Sequence, residues 1–449
     1  MENTGNLSQR ALTNLAVTCP MRTAFLGALS SLYHATDNPA GAINLGMAQN
    51  DLICNEMLEK ISSSTPLREV DLSYGDPHGS KRLRGRLAGF FNTYFNPHTP
   101  VLDNHILVTP GAGAAVYQLA TVIADVDEYI MVPSPYYGTF DLDIRLNTGI
   151  RIFTVGIFHT ETLSVDFVLL HRAMEKATSQ GLRVKAILIN NPHNPLGHRE
   201  DIKLFIYFAS RYNIHIIFDE VYALSTFSPF LREETNQGDH TSVRDKLAES
   251  PFCSALAVDN VPQLIDPKLV HVVYSLSKDF GLNGLRVGFI IDQYNDYLKQ
   301  ALILTSSFSY ISTVTDRLVY NLFSDTVWID KLIHTNLQRL AASYIRTTSF
   351  LSSHNIKFFP AQSGHFLFLD LRDDLRKRCG DIPTFSDEAD LLNDLLHNGV
   401  YIAPGEGFHT VEPGFFRMTF SVEWNTLKRG LQILYHTLRS EPATHANKV

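Results

Sequence analysis

Six short apolar runs recur along this chain of 449 residues: His105–Thr109, Tyr129–Val132, Val184–Ile189, Ile214–Phe218, Val270–Tyr274 and Arg286–Ile291. Continuous apolar runs of this length read as parallel strands covered on both faces, since a solvated face would alternate with polar residues. Helix-like stretches such as Ala114–Ala124 and Arg199–Tyr212 lie between them. This alternation predicts a doubly wound α/β domain, with a mostly parallel central sheet and helices on both faces. In such sheets ligands bind beyond the C-terminal ends of the strands. Five of those ends carry unusual turns: Pro110–Ala114, Pro133–Tyr137, Asn190–Gly197, Asp219–Tyr222 and Ser275–Lys278. A sheet built for stability alone has no need of this concentration of glycine, amide, aromatic and charged residues.

Length and charge narrow the field. A chain this long exceeds one ordinary core, so at least two domains are expected. The net charge of −8 offers no basic balance for nucleic acid or an anionic membrane. No run of about 18 apolar residues occurs, so no membrane span is expected. Cys19, Cys54, Cys253 and Cys379 are far apart and form no CxxC pair. They read as reduced thiols of a cytoplasmic protein, with neither a disulfide framework nor a metal site expected. Ala11–His34 reads as an amphipathic helix packed on the body or a partner. Arg232–Ser250 reads as a surface insertion, and Ser440–Val449 as a frayed end.

The strand ends suggest chemistry, and each residue also has a plainer reading. Lys278 would be a nucleophilic amine if desolvation lowered its pKa; most lysines are solvated surface charges. Asp219 ends a buried run and needs a partner, for which a pyridinium N–H is suitable; a helix N-cap is the alternative. Tyr222 lies three residues on, within reach of a ring hydroxyl. Asn194 sits in a proline-rich turn, as an amide donor to a phenolate oxygen or as an Asx turn. The loop around Ala112 and Gly113 lets backbone N–H groups approach a phosphate. A dinucleotide site is the rival there, but Val116 stands where GxGxxG needs its last glycine. Ser275, Ser277 and Arg286 suit the same phosphate. A Ser-x-x-Lys acyl-transfer reading lacks its companion Ser-Asp-Asn and Lys-Thr-Gly motifs. Tyr137 is either a stacking ring or a core aromatic. Arg417, inside an apolar run, needs an anion: a substrate carboxylate or a structural ion pair.

The order of these signals is more specific than any one of them. Ser275–Gly288 closely resembles the lysine motif of fold-type I aminotransferases, and is most similar to the 1-aminocyclopropane-1-carboxylate (ACC) synthase branch. Gly46–Leu52, Tyr74–Gly79, Pro135–Gly138, Asn191–Gly197, Pro404–His409 and Glu412–Arg417 are similar too, and the resemblance spans about residues 40–435. It implies the fold-type I α/β architecture with a smaller second α/β domain. The expected division is an N-terminal arm and part of the small domain (1–75), a large cofactor-binding domain (76–325) and the C-terminal small domain (326–449).

The resemblance implies pyridoxal 5′-phosphate (PLP) as cofactor and Lys278 as its Schiff-base lysine. Asp219 would face the ring nitrogen, Asn194 and Tyr222 the ring oxygen, and Tyr137 would stack on the ring. Ala112, Gly113, Ser275, Ser277 and Arg286 would hold the phosphate, and Arg417 the carboxylate of an amino acid substrate. A homodimer with shared active sites is implied, with Tyr74 lent to the partner's site. Two positions depart from the family. Gln49 stands where ACC synthases carry a glutamate near the substrate, and Pro77 where the plant enzymes place a tyrosine before His-Gly. Neutral Gln49 favours a C–S lyase cleaving a cysteine-type conjugate in secondary metabolism, as in some fungal ACC-synthase-like proteins. An aminotransferase, an ACC synthase and a catalytically dead PLP-binding regulator are the alternatives. The intact Lys, Asp, Asn, Tyr and Arg set argues against the last.

Overall fold

The computed structural model describes residues 6–440 except 35, 64–66, 160, 163 and 236–251. Most of the expected insertion at 232–250, and the end after 440, therefore lie outside the described residues. Seven strands form the central sheet. Their spatial order is Ile106–Thr109, Gly288–Ile291, Val270–Ser275, His215–Asp219, Val184–Asn190, Tyr129–Ser134 and Arg151–Gly156. The last five are mutually parallel.

Gly288–Ile291 runs antiparallel to both of its neighbours, a correction to its reading as a parallel strand. The cause is the short link from Ser275, which holds only turns and the 3-10 helix Asn283–Leu285. A parallel return needs a longer crossover, usually a helix. Arg151–Gly156 escapes a reading of apolar runs because it is an edge strand in which only Val155 is buried.

Alternate strand residues feed two apolar layers. Leu107, Ile130, Leu188, Ile217, Val273 and Ile290 pack with the helices Ala112–Ile123 and Asp296–Ser306. Val108, Met131, Ile189, Phe218, Val272 and Phe289 face the opposite layer, with Lys81–Tyr94 and Ile202–Tyr212. Period-two alternation with apolar residues on both sides is what a sheet sandwiched between helices requires.

A second, four-stranded antiparallel sheet orders Ala403–Pro404, Phe415–Thr419, Phe366–Asp370 and Lys357–Phe359. The 28-residue helix Thr326–Ser353 leads into it. The N-terminal segment is tied to this part of the chain, because Ile43–Asn44 pairs in parallel with Val400–Tyr401. That pairing draws Gly46–Asn50 across to the ends of the central strands. The single helix expected over Ala11–His34 is two, Gln9–Leu15 and Pro20–Leu29. Pro20 supplies no N–H to continue the first helix, but is favoured at the first position of the second.

Candidate active site

Strand register builds the site. Asn190 lies opposite Asp219, so these two parallel strands end level, while the next strand runs two residues further, from Val273 opposite Asp219 to Ser275. Beyond them opens a cavity of about 510 Å³. Gln49, Ala112, Gly113, Tyr137, Asn194, Asp219, Tyr222, Ser275, Ser277, Lys278, Arg286 and Arg417 all line it. Tyr74 does not: it is 99% exposed on the surface.

Lys278 is half-buried at the cavity floor and donates to the Ala48 carbonyl at 2.7 Å. Desolvation first, then the nearby Arg417 charge, push its pKa down to about 7; Asp219 pulls the other way. It is not a solvated surface lysine. Asp219 is 4% exposed. One oxygen accepts from the Val221 N–H at 3.3 Å and the other from the Asn190 amide at 2.8 Å. Burial raises its pKa to about 7 despite these donors and the Lys278 charge. Turn residues follow it rather than a helix, which removes the N-cap alternative. A buried carboxyl so poorly solvated would gain from a cationic ring N–H.

The turn expected to hold a phosphate rests on glycine. Gly111 has φ +100, and a Cβ there would lie 2.4 Å from Nη2 of Arg286. The N-terminus of Ala112–Ile123 begins at this point and opens into the cavity. Arg286 itself takes a left-handed conformation, φ 54, which turns its side chain back over Gly111. Its Nη1 donates to the Asn283 carbonyl at 3.0 Å, leaving other donors for an anion.

Arg417 is buried on the small sheet between the rings of Phe366 and Phe408, at 5.0 and 4.8 Å. It donates to Asn194 Oδ1 at 2.9 Å and to the Gly46 carbonyl at 2.6 Å. Both acceptors are neutral and its Nε has no partner among the described residues, so no ion pair among them accounts for it. Because Asn194 spends its oxygen on Arg417, its amide nitrogen is the group left to donate. The Tyr222 hydroxyl is likewise buried without a partner among the described residues. These unsatisfied donors, the unbalanced Asp219 and the glycine cradle fit a cofactor with a ring nitrogen, a ring oxygen and a phosphate.

The cavity also contains residues that sequence reasoning passed over. Asp143 lies beside Gly113, and its carboxyl is pushed up to about 7, by burial and then by the Asp219 charge. Asn190 orients Asp219. Tyr401 comes from the small sheet's side, and Met21, Arg22 and Phe25 from the helix Pro20–Leu29. Asn190 was visible as the first residue of a strand-end turn. The others have no local signal, because they reach the cavity only through long-range packing.

The family Aminotransferase class I and II matches residues 41–434. The chain is 32% identical over 416 residues to 1-aminocyclopropane-1-carboxylate synthase 6 of Arabidopsis thaliana, covering 89% of this chain and 79% of that protein. It is 30% identical over 422 residues to 1-aminocyclopropane-1-carboxylate synthase-like protein 1 of Mus musculus, covering 91% and 78%. Among solved structures it resembles an archaeal alanine:glyoxylate aminotransferase, with TM-score 0.75, 21% identity and coverage of 98% and 99%. Aspartate aminotransferase from Thermus thermophilus with maleate gives TM-score 0.71 at 17% identity, covering 96% and 99%. The chain belongs to the class I and II aminotransferase family, in the ACC synthase-like branch of the fold-type I, PLP-dependent enzymes.

Proposed function

We propose that this PLP-dependent enzyme is a C–S lyase that cleaves a cysteine-type conjugate by elimination, in secondary metabolism. The observation that carries the reading is Gln49, a neutral side chain on the cavity wall where ACC synthases place a carboxylate. It follows Ala48, whose carbonyl anchors Lys278. A carboxylate there attracts a sulfonium substrate by ~1 kcal/mol in water and about 4 at an effective dielectric of 20. An amide gives that up, and an uncharged or anionic thioether then competes well.

Bound PLP supplies an electron sink for negative charge at the substrate's α-carbon. Arg417 binds the substrate α-carboxylate, and the aromatic faces around it keep water away. Asp219 holds the proton on the ring nitrogen, and Tyr137 keeps the ring in place. The Lys278 amine, whose proton affinity burial lowers, takes the α-proton. The β C–S bond then breaks and the thiol leaves; the remaining enamine hydrolyses to a keto acid and ammonia. Family membership supports a second reading, an aminotransferase, which uses the same proton transfer and needs an acceptor keto acid.

The test is a steady-state comparison of S-adenosylmethionine with S-substituted cysteines, assaying ACC, thiol, keto acid and ammonia. Thiol release from the cysteines with little ACC is expected. Efficient ACC formation with inert cysteine conjugates overturns the lyase reading. Keto acid that forms only with an amino acceptor present selects the aminotransferase.

The cofactor and substrate roles of the cavity residues belong to the same proposal, as do the division at 75 and 325 and a cytoplasmic location. So does a homodimer in which Tyr74 serves the partner's cavity. Its support is the exposure of Tyr74 beside Leu72, with Phe308 97% exposed as well. Mixing Tyr74→Phe with Lys278→Ala protein is expected to restore activity through heterodimers with one intact site. Heterodimers that form without restoring it would place Tyr74 in its own subunit's service.

A further inference from the structure

Four cations line the cavity: Arg22, Lys278, Arg286 and Arg417. Three are accounted for, by the cofactor's attachment, its phosphate and the substrate α-carboxylate. Arg22 is left over. Its side chain is exposed at the cavity wall and makes no ion pair or hydrogen bond among the described residues, while its backbone N–H meets the Cys19 thiol.

Arg22 is nevertheless firmly placed. The Cys19 thiol just before its helix donates to the Gly138 carbonyl at 3.4 Å, and the Thr139 hydroxyl meets Met21 Sδ at 3.6 Å. On the other side Met21 packs against Gly407, where an added Cβ would lie 3.1 Å from Met21 Cα. The helix is thus wedged between the Pro135–Thr139 turn beside the cofactor site and the Gly405–Phe408 turn of the small sheet. Met21 and Phe25 supply apolar wall on either side of Arg22. An apolar wall interrupted by one unpaired guanidinium suits a thioether chain that ends in an anion.

We propose that Arg22 is a specificity-determining residue that binds a carboxylate at the far end of the substrate's side chain. The substrate class is then an S-substituted cysteine carrying a second, distal carboxylate. This deepens the lyase reading and rests on it for the sulfur, while the charge argument holds for any amino acid substrate of this cavity.

The test separates the two. The holoenzyme is titrated with S-carboxymethyl-α-methylcysteine and with its S-carbamoylmethyl amide, following the cofactor's visible absorption. Both ligands lack an α-proton, so binding is read whether the enzyme eliminates or transaminates. Wild type is expected to bind the acid more tightly than the amide. Arg22→Gln should reduce that preference about tenfold, the scale of one partly solvated charge-assisted hydrogen bond. Arg22→Lys, which keeps the charge without the fork, should retain part of it. Circular dichroism of the variants checks the fold. A wild type that binds the amide as well as the acid, or fails to bind the acid, overturns the proposal. So does a preference that survives in Arg22→Gln. Turnover assays that find no thiol release would sink the lyase reading alone.

Discussion

Lys278 and Asp219 occupy one cavity with opposite problems. Burial makes the ammonium of Lys278 too acidic and the carboxyl of Asp219 too basic, and both titrate at about 7. A cationic ring nitrogen beside Asp219 relieves the carboxylate, and covalent use of the amine relieves the lysine. Borohydride reduction of the purified holoenzyme should therefore leave the cofactor attached to the peptide containing Lys278. Recovery on another lysine would contradict the site. Asp219→Asn keeps the shape and the Asn190 contact but removes the charge. Losing a charge-assisted hydrogen bond of about 1.5–3 kcal/mol should lower turnover by roughly tenfold to a hundredfold, with the fold retained. Normal kcat in that variant would remove Asp219 from its role.

Among the elements, the turn before Ala112–Ile123 is the least tolerant. Gly111 has φ +100 and ψ 166, a region almost restricted to glycine, where other residues are strained by about 1–3 kcal/mol. Its missing Cβ also makes room for the Arg286 guanidinium. Gly111→Ala should shift both the turn and Arg286, raising the dissociation constant for PLP at least about tenfold. Equilibrium titration of cofactor-free protein measures it. Unchanged PLP affinity would mean that the phosphate does not sit on this turn.

At the scale of the whole molecule, several carboxyls are buried behind the site. Glu220 accepts from Ser254, Ala255 and Asn191, and Asp279 from Leu224, Ser225 and Tyr274. Desolvation raises Glu220 from 4.5 to about 8 and Asp279 from 3.8 to about 7. These two groups therefore hold more protons in the native state than in the unfolded chain between those values, and their contribution to stability falls as pH rises through that window. Below about pH 6.5 the buried His215 and His365, lowered to about 3, oppose this, so melting temperatures of the cofactor-free protein should decline chiefly from about pH 6.5 to 8. Glu220→Gln should flatten the decline, because the Ser254 hydroxyl can rotate to accept from the new amide. An equally steep decline in that variant would put the responsible protons elsewhere.

The alternation of apolar runs and helices, the turns at the strand ends and the run containing Arg417 are all local patterns. A strand buried on both faces and a turn that needs glycine or proline impose their chemistry on neighbouring residues, which made the α/β sheet and most of the cavity-lining residues readable from the sequence. The antiparallel direction of Gly288–Ile291 depended on how short its link is, and the edge strand Arg151–Gly156 on having little cover. The pairing of Ile43–Asn44 with Val400–Tyr401 joins segments more than 350 residues apart. The cavity walls from Arg22, Asp143 and Tyr401 depend in the same way on closing long loops, which no short window encodes. The identity of the chemistry at the strand ends is thus written locally, while the charge that meets the far end of the substrate was decided only when the chain folded back on itself.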